Sequence, residues 1–220
     1  MPKKKLPVAE PALPLRREER KMLTRQLVLA AALAEFRENG FDAASTAAIA
    51  QRAGVSHGAV FTVEPTKEKL AVAAFDGEVR SVGEHAFARA FGGAENLADR
   101  VMGIYSALFD FYGSHQLISR VLLREMLLSS QPGGGTPNDR LLNDYFVGLR
   151  VLVQSAASGQ QLEAGVDAEA VASALLGIYL VFLLARLNEA YPDQATHLGN
   201  CRRTVESVLG PLTAGKKKKG

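Results

Sequence analysis

The segment from Ser45 to Leu70, STAAIAQRAGVSHGAVFTVEPTKEKL, constrains the fold of this chain more than any other. It holds two short helical patterns. The first is capped by Ser45 or Thr46 and reaches about Ala53; the second is capped by Ser56 and reaches about Val63. Between them Gly54-Val55 turns the chain, and Gly54 supplies a positive φ that a side chain resists. Ala50 is small enough for close helix approach, and Ile49, Val55 and Val60 make a small core. Val55 and Val60 also occupy the two positions of a hydrophobic staple, which sets the angle of entry. Pro65 ends the second run, and Thr66 caps a longer helix through about Arg89. Two helices joined by a tight glycine-containing turn form a helix-turn-helix, whose second helix lies in the major groove of DNA. Ser56, His57, Gly58, Ala59 and Thr62 remain for the outward face of that second helix.

The flanking sequence is helical as well. A first helix is expected from about Arg17 to Asn39, with Leu29, Ala32, Leu33 and Phe36 on one buried stripe and Gly40 as its stop. Beyond Gly92-Gly93, helices are expected at about 95–112, 115–130, 137–158, 167–190 and 194–210. The Pro132–Gly135 loop, Gly165 with Asp167, and Pro192 divide them, with Thr136 as a cap and Pro137 in the favoured first turn. No sustained apolar/polar alternation with hairpin turns occurs, so the fold class is all-α: an N-terminal three-helix DNA-binding domain plus a larger C-terminal helical domain. The expected divisions are a disordered basic arm over 1–15, which holds Pro2, Pro7, Pro11 and Pro14, a DNA-binding domain over 16–66, the larger domain over 67–212, and a basic tail over 213–220.

Charge follows the same division. Residues 1–70 carry 12 Lys/Arg against 8 Asp/Glu, whereas 71–215 carry 10 against 15. A basic front end on an acidic body suits a protein whose first segment meets phosphate. Cys201 is the only cysteine, so there is no internal disulfide, no thiolate pair for zinc, and a reducing cytoplasmic location is expected. No apolar signal core follows the basic start, and the Val171–Ala185 run reads as a core or interface helix rather than a membrane span. His57, His85, His115 and His197 are scattered, and the sequence holds no nucleophile elbow, Walker-type loop or metal-ligand spacing. No enzymatic activity, metal or cofactor is expected.

The residues Val28-Leu29-x-Ala31-Ala32 with Phe36 and Gly40, then Ile49-Ala50-x-x-Ala53-Gly54-Val55-Ser56-x-Gly58, then Pro65-x-Lys67-Glu68-x-Leu70 resemble the N-terminal signature of TetR-family transcriptional regulators. The resemblance spans about residues 20–70; the rest matches only as a run of helices that ends in two apolar ones. It implies that Ser45 or Thr46 donates to a phosphate, that Ser56 and His57 face bases or phosphates, and that Gly58 permits close approach to the backbone. Lys67 would hold another phosphate, and Arg16, Arg17 and the lysine arm would reach an adjacent groove. With Ala59, Phe61 and Thr62 these make the candidate DNA-binding set.

Three positions depart from the family pattern. Phe61 stands where Tyr is usual, Glu64 where a core Phe is usual, and Glu35 where Leu is usual. Glu64 must reach solvent or a base such as Lys67 or Lys69, because an unpaired buried carboxylate is costly. The recognition helix also lacks Arg, Asn and Gln for bidentate base contacts, so specificity would rest on His57, Thr62, thymine methyls and DNA shape. These departures keep a second expectation open: a TetR-like protein that has lost operator binding and acts through protein–protein contacts.

For the second domain the resemblance implies a pocket for a small ligand and a homodimer through about 167–210, binding a double-stranded palindromic operator as a ligand-responsive repressor. The 167–190 helix is apolar nearly all round, so a second copy is a natural cover, and Leu198, Val205, Val208 and Leu209 give the last helix a matching stripe. The candidate pocket residues are Phe87, Tyr105, Phe109, Arg124, Glu125, Met126, Phe146 and Tyr179, with Phe111 and Tyr145 as further aromatics, and a mainly apolar ligand is expected.

Overall fold

The computed structural model describes residues 16–93, 95–114, 116–128 and 137–214. The expected arm over 1–15, the Pro132–Gly135 loop and the tail beyond Ala214 lie outside the described residues. Among the described residues the chain is all-α.

The first four helices are α1 (Arg17–Ala43), α2 (Thr46–Ala53), α3 (His57–Val63) and α4 (Lys67–Gly92). Each short helix starts where its capping hydroxyl predicts. Ser45 Oγ accepts from the Ala48 amide at 3.1 Å, Ser56 Oγ from Ala59 at 3.3 Å, and Thr66 Oγ1 from Lys69 at 3.2 Å, each satisfying an amide the helix leaves open. Gly54 takes the left-handed conformation at φ 67, ψ 31 and closes α2 through its amide. Gly40 also has positive φ, at 73, but it interrupts α1 rather than ending it; the chain resumes a last turn to Ala43 and stacks Phe41 on Phe36 at 5.7 Å.

The larger body consists of α5 (Leu97–Ser114), α6 (Gln116–Leu128), α7 (Pro137–Ser158), α8 (Ala168–Leu187), α9 (Gln194–Leu209) and a closing 3-10 turn at Gly210–Leu212. Asp167 caps α8 and Asp193 caps α9 through their carboxylates. One feature of this end is absent from any periodic pattern: Leu162 and Thr213 form an isolated antiparallel bridge, flanked by Glu163 N to Leu212 O at 2.8 Å. It ties the end of the chain to the α7–α8 link.

Helix α4 is the spine. It packs against α1 near the helix-turn-helix and against α5, α6 and α7 in the body, and α6 in turn touches α1. One continuous apolar core therefore runs from Val28, Ile49 and Val60 through Leu70 and Phe75 to Tyr105, Leu152, Leu175 and Val205. By length and composition α8 is apolar enough to cross a membrane, but here it packs on α5, α7 and α9. Its Leu175, Tyr179 and Leu183 are buried, whereas Val181 and Leu184 are 65% and 48% exposed. The stripe expected on α9 as a match for this face is instead largely spent within the chain: Val205 and Leu209 are buried, and Leu198 is half-buried against the same core.

Candidate nucleic-acid interface and ligand cavity

The turn between α2 and α3 brings the capping residues of both helices to one exposed surface. Ser45 and Ser56 use an oxygen lone pair for their caps, which leaves each O–H proton to donate outward. Thr46 and His57, eleven positions apart, share a hydrogen bond between Oγ1 and Nε2 at 2.9 Å. His57 also meets the Phe61 ring edge-on at 5.1 Å, and Phe61 is 44% exposed. The side chains assigned separately to phosphate and to bases thus form one preformed unit across the turn. Thr62, also exposed, turns its hydroxyl back to the Ala59 carbonyl at 2.7 Å.

Gly58 is exposed, and a Cβ built there would meet no protein atom within 4 Å. The fold itself makes no demand for glycine at this place. Lys67 lies at the start of α4, where its ammonium donates to the Asp42 carbonyl at 3.2 Å and sits 4.6 Å above the Phe41 ring. It is therefore held beside the α1–α2 link, with N–H protons left over for an anion.

The two carboxylates that depart from the family pattern are both answered by arginines. Glu64 pairs at 3.0 Å with Arg25 of α1, not with Lys67 or Lys69, and Arg25 also donates to the Val63 carbonyl at 3.2 Å. That contact turns the carboxylate away from a free role and clips the end of α3 to α1. Glu35 is 6% exposed and lies 3.6 Å from Arg52, which also binds Glu38. The hydrogen bond to Arg52 lowers the Glu38 pKa and raises that of Arg52. Neither Arg25 nor Arg52 could be found as a partner from the sequence, because both contacts span elements and have no periodic signature.

In the body, an aromatic cluster surrounds Tyr179. Tyr105, Phe109 and Tyr145 lie with ring centroids 5.4, 5.7 and 6.3 Å from it. Tyr105 donates to the Leu175 carbonyl at 2.5 Å and Tyr145 to the Val79 carbonyl at 3.3 Å, but the buried Tyr179 hydroxyl has no partner among the described residues. Burial pushes the phenols of Tyr105, Tyr145 and Tyr179 well above their ordinary range, so all stay protonated donors. Beside Tyr179 is a void of about 10 Å³ lined by Phe87, Ile104, Tyr105, Leu108, Tyr145, Leu149 and Leu176.

Phe87 and Tyr145 also line a surface groove of about 330 Å³ between α4 and α7, with Arg80, Phe91 and Asp144 at its sides. Their packing is reciprocal. Phe87 of α4 lies on Gly148 of α7, and Tyr145 of α7 lies on Gly83 of α4; a Cβ at either glycine would come within 2.7 Å of the facing ring. The two rings are thus the wall between groove and void.

Of the pocket residues expected from sequence, the structure brings together Phe87, Tyr105 and Tyr179, with Phe109 stacked behind. Arg124 is exposed and faces Glu125 at 3.9 Å, and neither lines this void; nor does the half-buried Phe146. The Met126 side chain lies outside the described residues. Ile104, Leu108, Leu149 and Leu176 were missed because aliphatic positions on amphipathic helices look alike whether they fill a core or face a void.

Residues 28–74 match the model of the family described as bacterial regulatory proteins, tetR family. Solved structures resemble the chain over most of its length. A TetR-family regulator from Cytophaga hutchinsonii gives a TM-score of 0.62 at 15% identity, covering 93% of this chain and 100% of that one. The tylp TetR regulator of Streptomyces fradiae gives 0.56 at 23%, covering 90% of each. FadR of Bacillus subtilis, solved in complex with stearoyl-CoA, gives 0.59 at 15%, covering 85% of this chain and 98% of that one. At these identities the likeness is one of fold. No curated protein matches the sequence.

Proposed function

We propose that this chain, whose residues 28–74 match the model of the tetR family of bacterial regulatory proteins, is a ligand-responsive repressor that binds a palindromic operator as a homodimer. The observation that carries the reading is the α2–α3 surface: the free hydroxyl protons of Ser45 and Ser56, the Thr46–His57 pair, exposed Phe61 and Thr62, and an open Gly58 that the protein's own packing does not require. Such a surface admits a phosphate backbone closely and donates to it. Residues 16–66 read DNA in this account, and 67–212 bind ligand and dimerise.

Dimerisation would use the exposed face of α8. Ala174, Gly177, Val181 and Leu184 lie along one side of that helix, apolar and uncovered. Two-fold pairing there would have to hold the two recognition helices about 34–36 Å apart, one turn of DNA, for both to enter major grooves.

The ligand would enter through the Phe87–Tyr145 wall and end beside the orphaned Tyr179 hydroxyl. The void as it stands holds no more than about one water, so a ligand must part the rings. Phe87 rides on α4, and α4 begins at Lys67, four positions after α3 ends at Val63. Moving α4 to make room therefore moves the recognition helix, which shifts the population away from the DNA-fitting dimer. An apolar chain with one hydrogen-bond acceptor suits the lining. The stearoyl-CoA bound to the structurally similar FadR supports a long acyl group as a first candidate.

The test is binding of the purified chain to a labelled duplex from upstream of its own gene, across a salt series with nonspecific competitor. Saturable binding that resists competitor and weakens steeply with salt is the expected outcome. Binding no stronger than competitor, from a folded dimer free of ligand, would overturn it in favour of a protein that acts through protein–protein contacts.

A further inference from the structure

A second cavity, of about 260 Å³, opens where the start of α6 meets the end of α8 and the start of α9, and its walls include Gln116, Arg186, Glu189, Tyr191, Gln194 and His197. Its chemistry differs from that of the aromatic void. His197 is 2% exposed, and neither ring nitrogen has a hydrogen-bond partner among the described residues. Buried polar groups left unmet are rare and destabilising, and because both nitrogens are closed to solvent, a ligand in the cavity meets one of them only when the ring turns toward it. The imidazole packs against Phe109, Tyr191 and Phe182, with centroids at 4.8, 5.4 and 5.7 Å.

Arg186 is the second unmet group. Its guanidinium makes no hydrogen bond or ion pair among the described residues. It lies against Gly113 of α5, where a Cβ would come within 2.8 Å of a guanidinium nitrogen, so the absence of a side chain there gives it room. Its charge reaches His197: burial first, and Arg186 second, lower the imidazole's pKa. The acidic residues at the rim are unequal. Asp193 is already engaged by the Thr196 amide and hydroxyl as the cap of α9. Glu189 is exposed, holds an unusual φ of 52, and its amide donates to the Arg186 carbonyl at 3.3 Å, while its carboxylate has no partner among the described residues.

We propose that this cavity is a second effector site that takes a small monocarboxylate, held by the Arg186 guanidinium and His197 with the Gln116 and Gln194 amides around it. A guanidinium fork matches a carboxylate in two parallel hydrogen bonds, and a neutral imidazole adds one N–H. The carboxylates of Glu189 and Asp193 disfavour a dianion such as phosphate, and Glu189 is placed to meet an ammonium if the ligand carries one. The volume lies just below the roughly 300–1,000 Å³ of pockets for larger organic ligands, so the occupant is compact.

The site sits on a joint of the body. Arg120 of α6 donates from two nitrogens to the Leu187 carbonyl, at 3.1 and 2.6 Å, one residue after Arg186. A ligand bridging Gln116 to Arg186 and His197 reinforces that same α6–α8 tie, and α6 also touches α1 and α4. Binding here does not depend on the DNA-binding reading.

The experiment titrates the full chain with propionate, glycine and inorganic phosphate separately, at constant ionic strength, following heat and the His197 ring resonances by NMR. Saturable binding of propionate or glycine that moves the His197 signals is expected. Arg186→Gln should weaken it at least about tenfold, or about 1.4 kcal/mol, without loss of helical signal. His197→Phe, which keeps an aromatic ring in the cluster, should weaken it as well. The proposal is overturned if neither carboxylate binds, if phosphate binds and the carboxylates do not, or if Arg186→Gln binds as tightly as the parent. Should His197→Phe fail to fold, the half-buried Arg186 variant decides.

Discussion

At the scale of single residues, Gly58 is a place where the fold makes no demand for glycine, so a substitution there tests the proposed DNA contact alone. A methyl group there meets no protein atom, and alanine forms helix more readily than glycine by up to about 1 kcal/mol. Gly58→Ala should therefore hold or raise the urea midpoint while lowering duplex affinity at least about tenfold, equivalent to about 1.4 kcal/mol; a stable variant that binds DNA as well as the parent would remove Gly58 from the interface. His197 gives a pH signature. Its folded pKa is depressed by burial and by Arg186, with Glu189 and Asp193 at the rim of the same cavity. The unfolded chain then takes up a proton near the ordinary value of 6.5 while the folded chain does not. Stability from this group is complete above that value and declines as pH falls through it toward the lower folded pKa. Urea midpoints at about pH 7.5 and 5.5 should show this decline, and His197→Phe should flatten it. Cys201 carries no such signal: burial pushes its thiol up to about 12, so it stays protonated and inert.

At the scale of elements, the seam between α1 and α2 rests on an asymmetric ion pair. Glu35 is buried, while Arg52 is partly exposed and keeps a second partner in Glu38. Removing the arginine leaves a buried carboxylate unpaired, whereas removing the glutamate leaves an arginine that is still paired and hydrated. Arg52→Met should cost about 1–3 kcal/mol in chemical denaturation, and Glu35→Leu should be neutral or stabilising. Equal losses in the two variants would contradict the asymmetry. The helices themselves were legible in advance, because Ser45, Ser56, Thr66, Asp167 and Gly54 act within a few positions of where they stand. The ends that shifted did so for local reasons of the same kind. Gly40 interrupts α1 for one residue and lets it resume, and α8 stops at Leu187 where the link turns through Asn188 and Glu189.

At the scale of the whole molecule, α8 presents two faces with different fates. Its inner face completes the core, and its outer face leaves Val181 and Leu184 exposed. If two copies pair through that face as proposed, Leu184→Glu should yield a monomer by sedimentation with an unchanged helical spectrum, and duplex affinity should fall by about a hundredfold or more as the second half-site is lost. A variant that remains dimeric would move the interface elsewhere. The α9 stripe shows why such a surface could not be assigned from sequence: Val205 and Leu209 have the spacing of an interface and are buried within their own chain.

The sequence by itself determined the helices, the turn at Gly54 and the outward set from Ser45 to Lys67, because caps, positive φ and helical periodicity are local properties that residues express close to where they lie. The tertiary structure alone decided that Arg25 answers Glu64 and Arg52 answers Glu35, that Phe87 and Tyr145 wall off Tyr179, and that Arg186 and His197 line one cavity with side chains unmet among the described residues. Those contacts join residues from different helices whose mutual angle and separation depend on how the whole core packs, and no spacing along the chain encodes that.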